Sequence, residues 1–288
     1  MLTFSPSSRY SIKAIRQTFV ELSQSASVDP ISSILRISGS PDLYPGGFIE
    51  ISTVYFRAGY TMNEYLTPMH YTTRFVLERS KAIKCPTIAL QLAGGKKVQE
   101  VLTQPGVLER FLADERYGED VFGEDEINEL RATFMGMWGL DVSEDMLTPD
   151  HSAIRSGQEE FGVRKARERA MSLVLKPQRE GGGNNIYKEA IPEFLDALAP
   201  QERPAWIAMD LIEPPDTGNY LLRAENQAPV KTGVISELGT LGWALFGGPE
   251  KSVEEKQVGW LLRTKGKENN EGGVAAGFSV LDSLLLLD

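Results

Sequence analysis

KPQREGGGNN, residues 176–185, packs a lysine, an acid, three consecutive glycines and two amides into ten positions. The apolar run SLVLK reads as a strand that ends at Lys176, where a side chain can reach into a cleft, and Pro177 stiffens the exit. Gly181, Gly182 and Gly183 have no Cβ, so the backbone there can turn sharply and aim N–H groups at an anion. Glu180 can hold a divalent cation that offsets phosphate charge. Asn184 and Asn185 add amide donors and acceptors. Phosphoryl chemistry requires this combination of cation, backbone donors and metal. The stretch is not a P-loop, because there the lysine follows the glycines and is succeeded by Ser or Thr. The dinucleotide spacing G-x-G-x-x-G is absent too. Taken alone, the ten residues fit a phosphate cradle and a flexible glycine hairpin equally.

Two later segments tilt that balance towards phosphate. In ISELG (235–239), Glu237 on a strand can accept from a ribose hydroxyl or hold metal, or be a solvated acid. In LLRTKGKENNEGGVAAG (261–277), Arg263 and Lys265 lie two apart and so share a strand face. The small residues of GGVAAG permit a loop to close over a ligand. Two glycine-rich lids also suit a reactive intermediate that water would destroy.

The 288 residues suggest about two domains, and their 30 basic and 40 acidic side chains give a formal charge of −10. That balance argues against nucleic acid or an anionic membrane as a general partner. A single cysteine, Cys85, excludes an internal disulfide framework and points to a reducing, cytoplasmic setting. No window of 18 apolar residues occurs. Histidine chemistry has little footing, since His70 and His151 are far apart and Cys85 is near neither.

Residues 1–150 mix helix and strand patterns. A helix is expected over 12–26, a strand over 47–56, and a helix over 71–84 that Cys85-Pro86 ends. Two short helices broken at Pro105 are expected over 96–112. A further amphipathic helix spans 124–138, with Ile127, Leu130, Phe134 and Met137 recurring three to four apart. Residues 139–152 form a polar, turn-rich connection. Residues 151–288 then change character, with SLVLK, AWIAMDLI, NYLLRAE, VKTGVISELG and VGWLLRTK as runs separated by turn residues. That pattern predicts a largely antiparallel sheet, interrupted by one helix over 187–198. The closing SVLDSLLLLD is a buried last strand or a frayed end.

KPQREGGGNNIY, ISELGTLG, LLRTKGKENNEGGVAAG, VYFRAGY, LERSKAIKCP and QLAGGKKVQ together resemble the eukaryotic-type glutathione synthetases, from about Ile15 to Asp282. The resemblance implies an α+β ATP-grasp fold, with an antiparallel sheet under glycine-rich lid loops beside a partial mixed α/β substrate-binding domain. It implies a cytoplasmic homodimer, ATP and magnesium (Mg2+), and ligation of γ-glutamylcysteine to glycine through an acyl phosphate. By position it assigns Lys96, Lys176, the glycines 181–183, Asn184, Asn185, Tyr187, Met209, Ile212, Glu237 and Lys265 to ATP. Glu180 becomes the magnesium ligand. Arg57, Tyr60, Arg263, Val274 and Ala275 become peptide contacts, with Arg263 and Lys176 acting on the developing charge. Carboxylate and triphosphate repel each other, so this many cations have a task.

The chain departs from the family pattern at Asp210-Leu211, where a Glu-Lys pair is usual. It resembles the C-terminal portion of a longer protein whose N-terminal part carries an E-x-N magnesium pair and further substrate contacts. The expectation therefore divides between a C–N ligase of glutathione biosynthesis and an incomplete nucleotide-binding remnant that associates with a full-length synthetase. A truncated reading of a longer gene fits the same facts.

Overall fold

The computed structural model describes residues 12–42, 44, 46–113, 122–141, 161–178, 183–215, 217–222, 228–247, 253–270, 272–274 and 277–284. It divides into two compact units. The first comprises Met1–Asp141, Lys176–Glu180 and Pro200–Ile207; the second comprises Val142–Leu175, Gly181–Ala199 and Ala208–Asp288.

In the first unit, helix α1 (Phe19–Ser25) starts where Thr18 accepts the Glu21 N–H and Glu21 returns to the Thr18 N–H. That reciprocal cap fixes the start, so the helix is shorter than the 12–26 expected from apolar spacing. Strands β1 (Ala26–Val28), β2 (Leu35–Ser38) and β3 (Phe48–Ile51) make an antiparallel sheet. Strand β4 (Thr53–Tyr55) is separate and pairs in parallel with β5 (Ile83–Cys85). The expected strand over 47–56 is thus two strands in two sheets. Between β4 and β5 lies α2 (Pro68–Arg79), with proline at its first position. Ser80 leaves helical geometry at ψ 162, so the chain turns into β5 instead of continuing as helix. Leu35, Phe56, Leu77 and Ala82 form the buried cluster, with Phe19, Leu22 and Ile51 packed against it.

Helices α3 (Ile88–Ala93), α4 (Lys96–Thr103) and α5 (Val107–Leu112) follow, and the break at Pro105 falls where expected. Helix α6 (Glu124–Ala132) ends at Thr133, and Met137 instead begins strand β6 (Met137–Gly139). Phe134 and Met137 therefore leave the helical stripe predicted for them.

In the second unit, α7 (Phe161–Glu168) buries Val163 and Ala166, and it packs against α8 (Ala190–Ala197), which buries Ile191 and Leu195. Strand β7 (Leu173–Pro177) pairs antiparallel with β8 (Ile186–Tyr187). Strand β9 (Trp206–Asp210) follows α8 in the chain. The remaining sheet is antiparallel throughout and ordered β10 (Thr217–Leu221), β11 (Val230–Phe246), β12 (Val253–Gly266), β13 (Ser279–Asp282). Its two central strands run well beyond the short segments their apolar runs predicted. The closing strand exists, and the last four residues of the chain, 285–288, lie outside the described residues. Among the described residues, no helix is long and apolar enough to cross a membrane.

Candidate functional site

Antiparallel register builds the charged cluster of the second unit. Glu237 on β11 lies opposite Arg263 on β12, and Ile235 lies opposite Lys265. Directly opposed residues share a face, so one carboxylate and two cations meet there. The Arg263 Nε and Nη2 both donate to Glu237 Oε2 at 2.6 Å. The Lys265 Nζ stands 3.4 Å from Glu237 Oε1 and 3.4 Å from the Asn270 carbonyl oxygen. Lys265 is only 8% exposed, an unusual burial for an ammonium group. The cluster carries a net positive charge, which suits an anionic ligand.

The glycine-rich turn passes close over this carboxylate. A Cβ on Gly272 would sit 3.2 Å from both Glu237 oxygens, so a larger residue would push the turn outward. The Gly273 carbonyl accepts N–H groups from Phe278 at 3.0 Å and Ser279 at 3.3 Å, and Val274 accepts from Gly277. On the opposite face, the buried Thr264 hydroxyl donates to Asp282 at 2.7 Å and meets Ser236 at 2.8 Å. That polar relay braces the strand segment between Arg263 and Lys265.

Elsewhere in this unit, the Asn185 amide donates to the Tyr187 hydroxyl at 3.1 Å, next to Gly183 at φ +82°. Met209 is half-buried on β9, whereas Ile212 is 69% exposed beyond its end. Asp210, one of the departures from the family pattern, is engaged by Arg169 at 2.7 Å. Glu180, Gly181, Gly182 and Ala275 lie outside the described residues.

The first unit holds Arg57, Tyr60, Lys96 and Lys176. Phe56 anchors the turn after β4, since its ring is buried and lies 3.6 Å beneath the Arg74 guanidinium carbon. Gly59 has φ +82°, and a Cβ there would meet Tyr65 at 2.9 Å and Phe19 at 3.0 Å. Gln91 donates to the carbonyls of Gly59 and Tyr60 at 2.7 and 3.2 Å. Glu64 accepts the Tyr60 and Thr61 N–H groups at 2.8 and 3.2 Å. Burial pushes the Glu64 carboxyl up, but the N–H groups of Gly59, Thr61 and Tyr60 together hold it below its ordinary value. The Tyr60 hydroxyl donates to the Phe56 carbonyl at 3.0 Å. Arg57 is exposed and makes no hydrogen bond or ion pair among the described residues.

Lys96 opens α4, and its ammonium donates to Gln99 at 3.0 Å. The next backbone N–H, of Lys97, donates to the Gln178 side-chain oxygen at 2.9 Å. Gln178 in turn donates its own N–H to Ala205 at 3.0 Å, two residues after the half-buried Lys176. Gln178 therefore ties the turn bearing Lys96 to the strand end bearing Lys176. The sequence alone gives Gln178 no role, because its partners Lys97 and Ala205 lie far from it along the chain. Glu64 was also missed, although Thr61-x-x-Glu64 carries the capping-box spacing that would have found it.

Among the described residues, no three acidic, histidine or cysteine side chains gather to hold a metal. Glu237 is already taken by two cations.

Residues 6–286 match the family model described as "Eukaryotic glutathione synthase, ATP binding domain". Glutathione synthetase of Dictyostelium discoideum is 37% identical over 99% of this chain and 54% of its own length. The Homo sapiens glutathione synthetase is 41% identical over 94% of this chain and 50% of its own length. The Arabidopsis thaliana protein, named as chloroplastic, is 37% identical over 97% and 45%. The chain thus spans about half the length of the curated relatives it matches. A solved glutathione synthetase-like effector of Globodera pallida, in apo form, superposes with TM-score 0.57 at 21% identity, covering 94% of this chain and 48% of that one.

Proposed function

From a chain that belongs to the eukaryotic glutathione synthase family, we propose an ATP-dependent C–N ligase that joins γ-glutamylcysteine to glycine. The α+β architecture, with its antiparallel sheet under a glycine-rich turn, is the ATP-grasp fold expected from the sequence. In the proposed reaction, the cysteinyl carboxylate attacks the γ-phosphorus of ATP and ADP leaves. The glycine amine then attacks the acyl phosphate, loses a proton and expels inorganic phosphate.

One observation supports this reading most: Glu237, Arg263 and Lys265 converge on one face of paired strands, with Gly272 passing closely above. Cations held in place, one of them the buried Lys265, stabilise developing phosphate charge without reorganising during the reaction. In this proposal Lys265, Lys176 and Lys96 hold phosphate oxygens, and Gly181 to Asn185 with Tyr187 wrap them. Met209 and Ile212 flank adenine, whose apolar faces suit a half-buried thioether and an exposed aliphatic side chain. Arg263 faces the carboxylate under attack. Arg57, open to solvent, takes a carboxylate of the peptide, with Tyr60, Val274 and Ala275 lining the approach. Magnesium is assigned to Glu180 by resemblance alone.

The proposed partners are the small-molecule substrates and a second copy of the chain or a full-length synthetase. The lone Cys85 fits a reducing compartment, the cytoplasm or, as the names of some relatives indicate, a chloroplast.

Purified protein with ATP and magnesium should release phosphate only when γ-glutamylcysteine and glycine are both present. Replacing glycine by β-alanine reports the acceptor. Folded protein that titrates with ATP but releases no phosphate would overturn the ligase in favour of a nucleotide-binding partner of a full-length synthetase. Failure to bind ATP would remove both readings.

A further inference from the structure

Ser279 opens β13 directly opposite Lys265 on β12. Its side chain therefore emerges on the face that carries Lys265, Arg263 and Glu237. The residue is 5% exposed, and its hydroxyl oxygen is buried without a hydrogen-bond partner. Neighbouring hydroxyls contrast with it, because Thr264 and Ser236 bond each other on the opposite face and Thr264 also bonds Asp282. A buried hydroxyl left unpaired is destabilising, because it has lost water and gained no partner. Such orphans are few in native proteins and call for an explanation. At Ser279 the neighbours supply one.

A serine hydroxyl donates one hydrogen bond and accepts two. Its register partner is a buried ammonium group with only long contacts, 3.4 Å to Glu237 and 3.4 Å to the Asn270 carbonyl. A group satisfying both must offer acceptors to an ammonium and a hydroxyl, and should be anionic to match the cluster's net charge. A phosphate oxygen meets each condition, and hydroxyl-to-anion bonds are among the stronger ones. Backbone placement adds a second reason. The Ser279 N–H bonds to Gly273, so this residue stands where the glycine-rich turn returns to the sheet. A ligand held at its hydroxyl would link the turn's base to the bound anion.

We propose that the Ser279 hydroxyl is a further nucleotide ligand, donating to a phosphate oxygen of ATP beside the Lys265 ammonium. This rests on the ATP-binding reading above and adds a residue that the family resemblance does not assign.

The experiment is calorimetric titration of wild-type protein and Ser279→Ala with ATP, AMP and inorganic tripolyphosphate, together with thermal melts of both free proteins. Ser279→Ala should weaken ATP and tripolyphosphate about tenfold, the size of one hydrogen bond to a charged group. It should leave AMP affinity within twofold. The melt of the free variant should equal or exceed that of wild type, because an unpaired buried oxygen has been removed. An unchanged ATP affinity, or an equal loss for AMP, would overturn the phosphate contact. A lowered melting temperature of the free protein would overturn it too, by making the hydroxyl a structural group. If wild type binds tripolyphosphate but not ATP, the nucleotide reading fails, while the serine's role is still decided by the variant. If wild type binds neither, both ideas are overturned.

Discussion

Two arginines that we propose to meet the same substrate are prepared in opposite ways. Arg57 projects unpaired from a turn whose backbone is held by Gln91, Glu64 and Tyr65. Arg263 lies on a regular strand, and its charge is held by Glu237 through two 2.6 Å contacts. The first arrangement fixes the backbone and leaves the guanidinium open to a carboxylate. The second fixes the guanidinium itself and leaves less of its charge uncompensated. An open cation suits tight ground-state capture, whereas a fixed one suits charge that appears only during reaction. The contrast says which experiments should move binding, which should move stability, and which should move neither.

The largest expected effect attacks the scaffold of the first arginine. Leu77 is 1% exposed and shares a cluster with Phe56, the residue before Arg57. Leu77→Ala should lower unfolding free energy in urea by about 3 kcal/mol, within the usual range for a buried leucine cut to alanine. A loss below about 1 kcal/mol would mean that the cluster does not hold the turn.

On the strand side, the corresponding break is electrostatic. Lys265→Met removes a buried ammonium but keeps a long apolar side chain. ATP affinity by calorimetry should fall about 100-fold, near 2.8 kcal/mol. A fall under threefold would separate the cluster from nucleotide binding and leave the comparison without its second half.

A smaller effect tests whether the turn's brace is ionic. Glu64→Gln keeps the shape but weakens acceptance of backbone N–H groups, costing about 1–2 kcal/mol in urea at neutral pH. The Glu64 carboxyl lies below its ordinary value of 4.5 in the fold, so the charged form is the one folding favours. Its stabilisation is therefore full above that pH and is lost as pH falls through the depressed folded value. The gap between wild type and Glu64→Gln should narrow on acidification. A gap that stays constant below pH 4.5 would reject the ionic brace.

The two regions were not equally legible. Charged and glycine-rich segments disclosed the second cluster because Arg263 and Lys265 are two apart, and a strand turns that spacing into a shared face. Their pairing with Glu237, and the placement of Ser279 opposite Lys265, depend on which residues oppose across β11, β12 and β13. Register of that kind is fixed by long-range pairing and was out of reach. The first region was misread for a local reason. Apolar spacing alone extended a helix back to residue 12, while the cap at Thr18 and Glu21 starts it at Phe19. The same cap spacing at Thr61 and Glu64 marks the group that organises the Arg57 turn, and it went unread. Ends and caps carried information that periodicity ignored.

The smallest effect is also the most direct comparison, because it makes one substitution twice. Arg57→Ala deletes an exposed, unpaired side chain, so stability should stay within about 0.5 kcal/mol of wild type. Arg263→Ala strips Glu237 of its closest cation and leaves Lys265 at 3.4 Å as the remaining one. That pair is partly exposed, so the cost in urea should be modest, about 0.5–1 kcal/mol. Kinetics should separate the two more sharply. Arg57→Ala should raise the KM for γ-glutamylcysteine while kcat changes little, since an open cation contributes to ground and transition states alike. Arg263→Ala should lower kcat with a lesser change in KM. If instead both variants moved KM alone, Arg263 would be a second substrate clamp, and its ion pair with Glu237 would serve the sheet rather than the reaction.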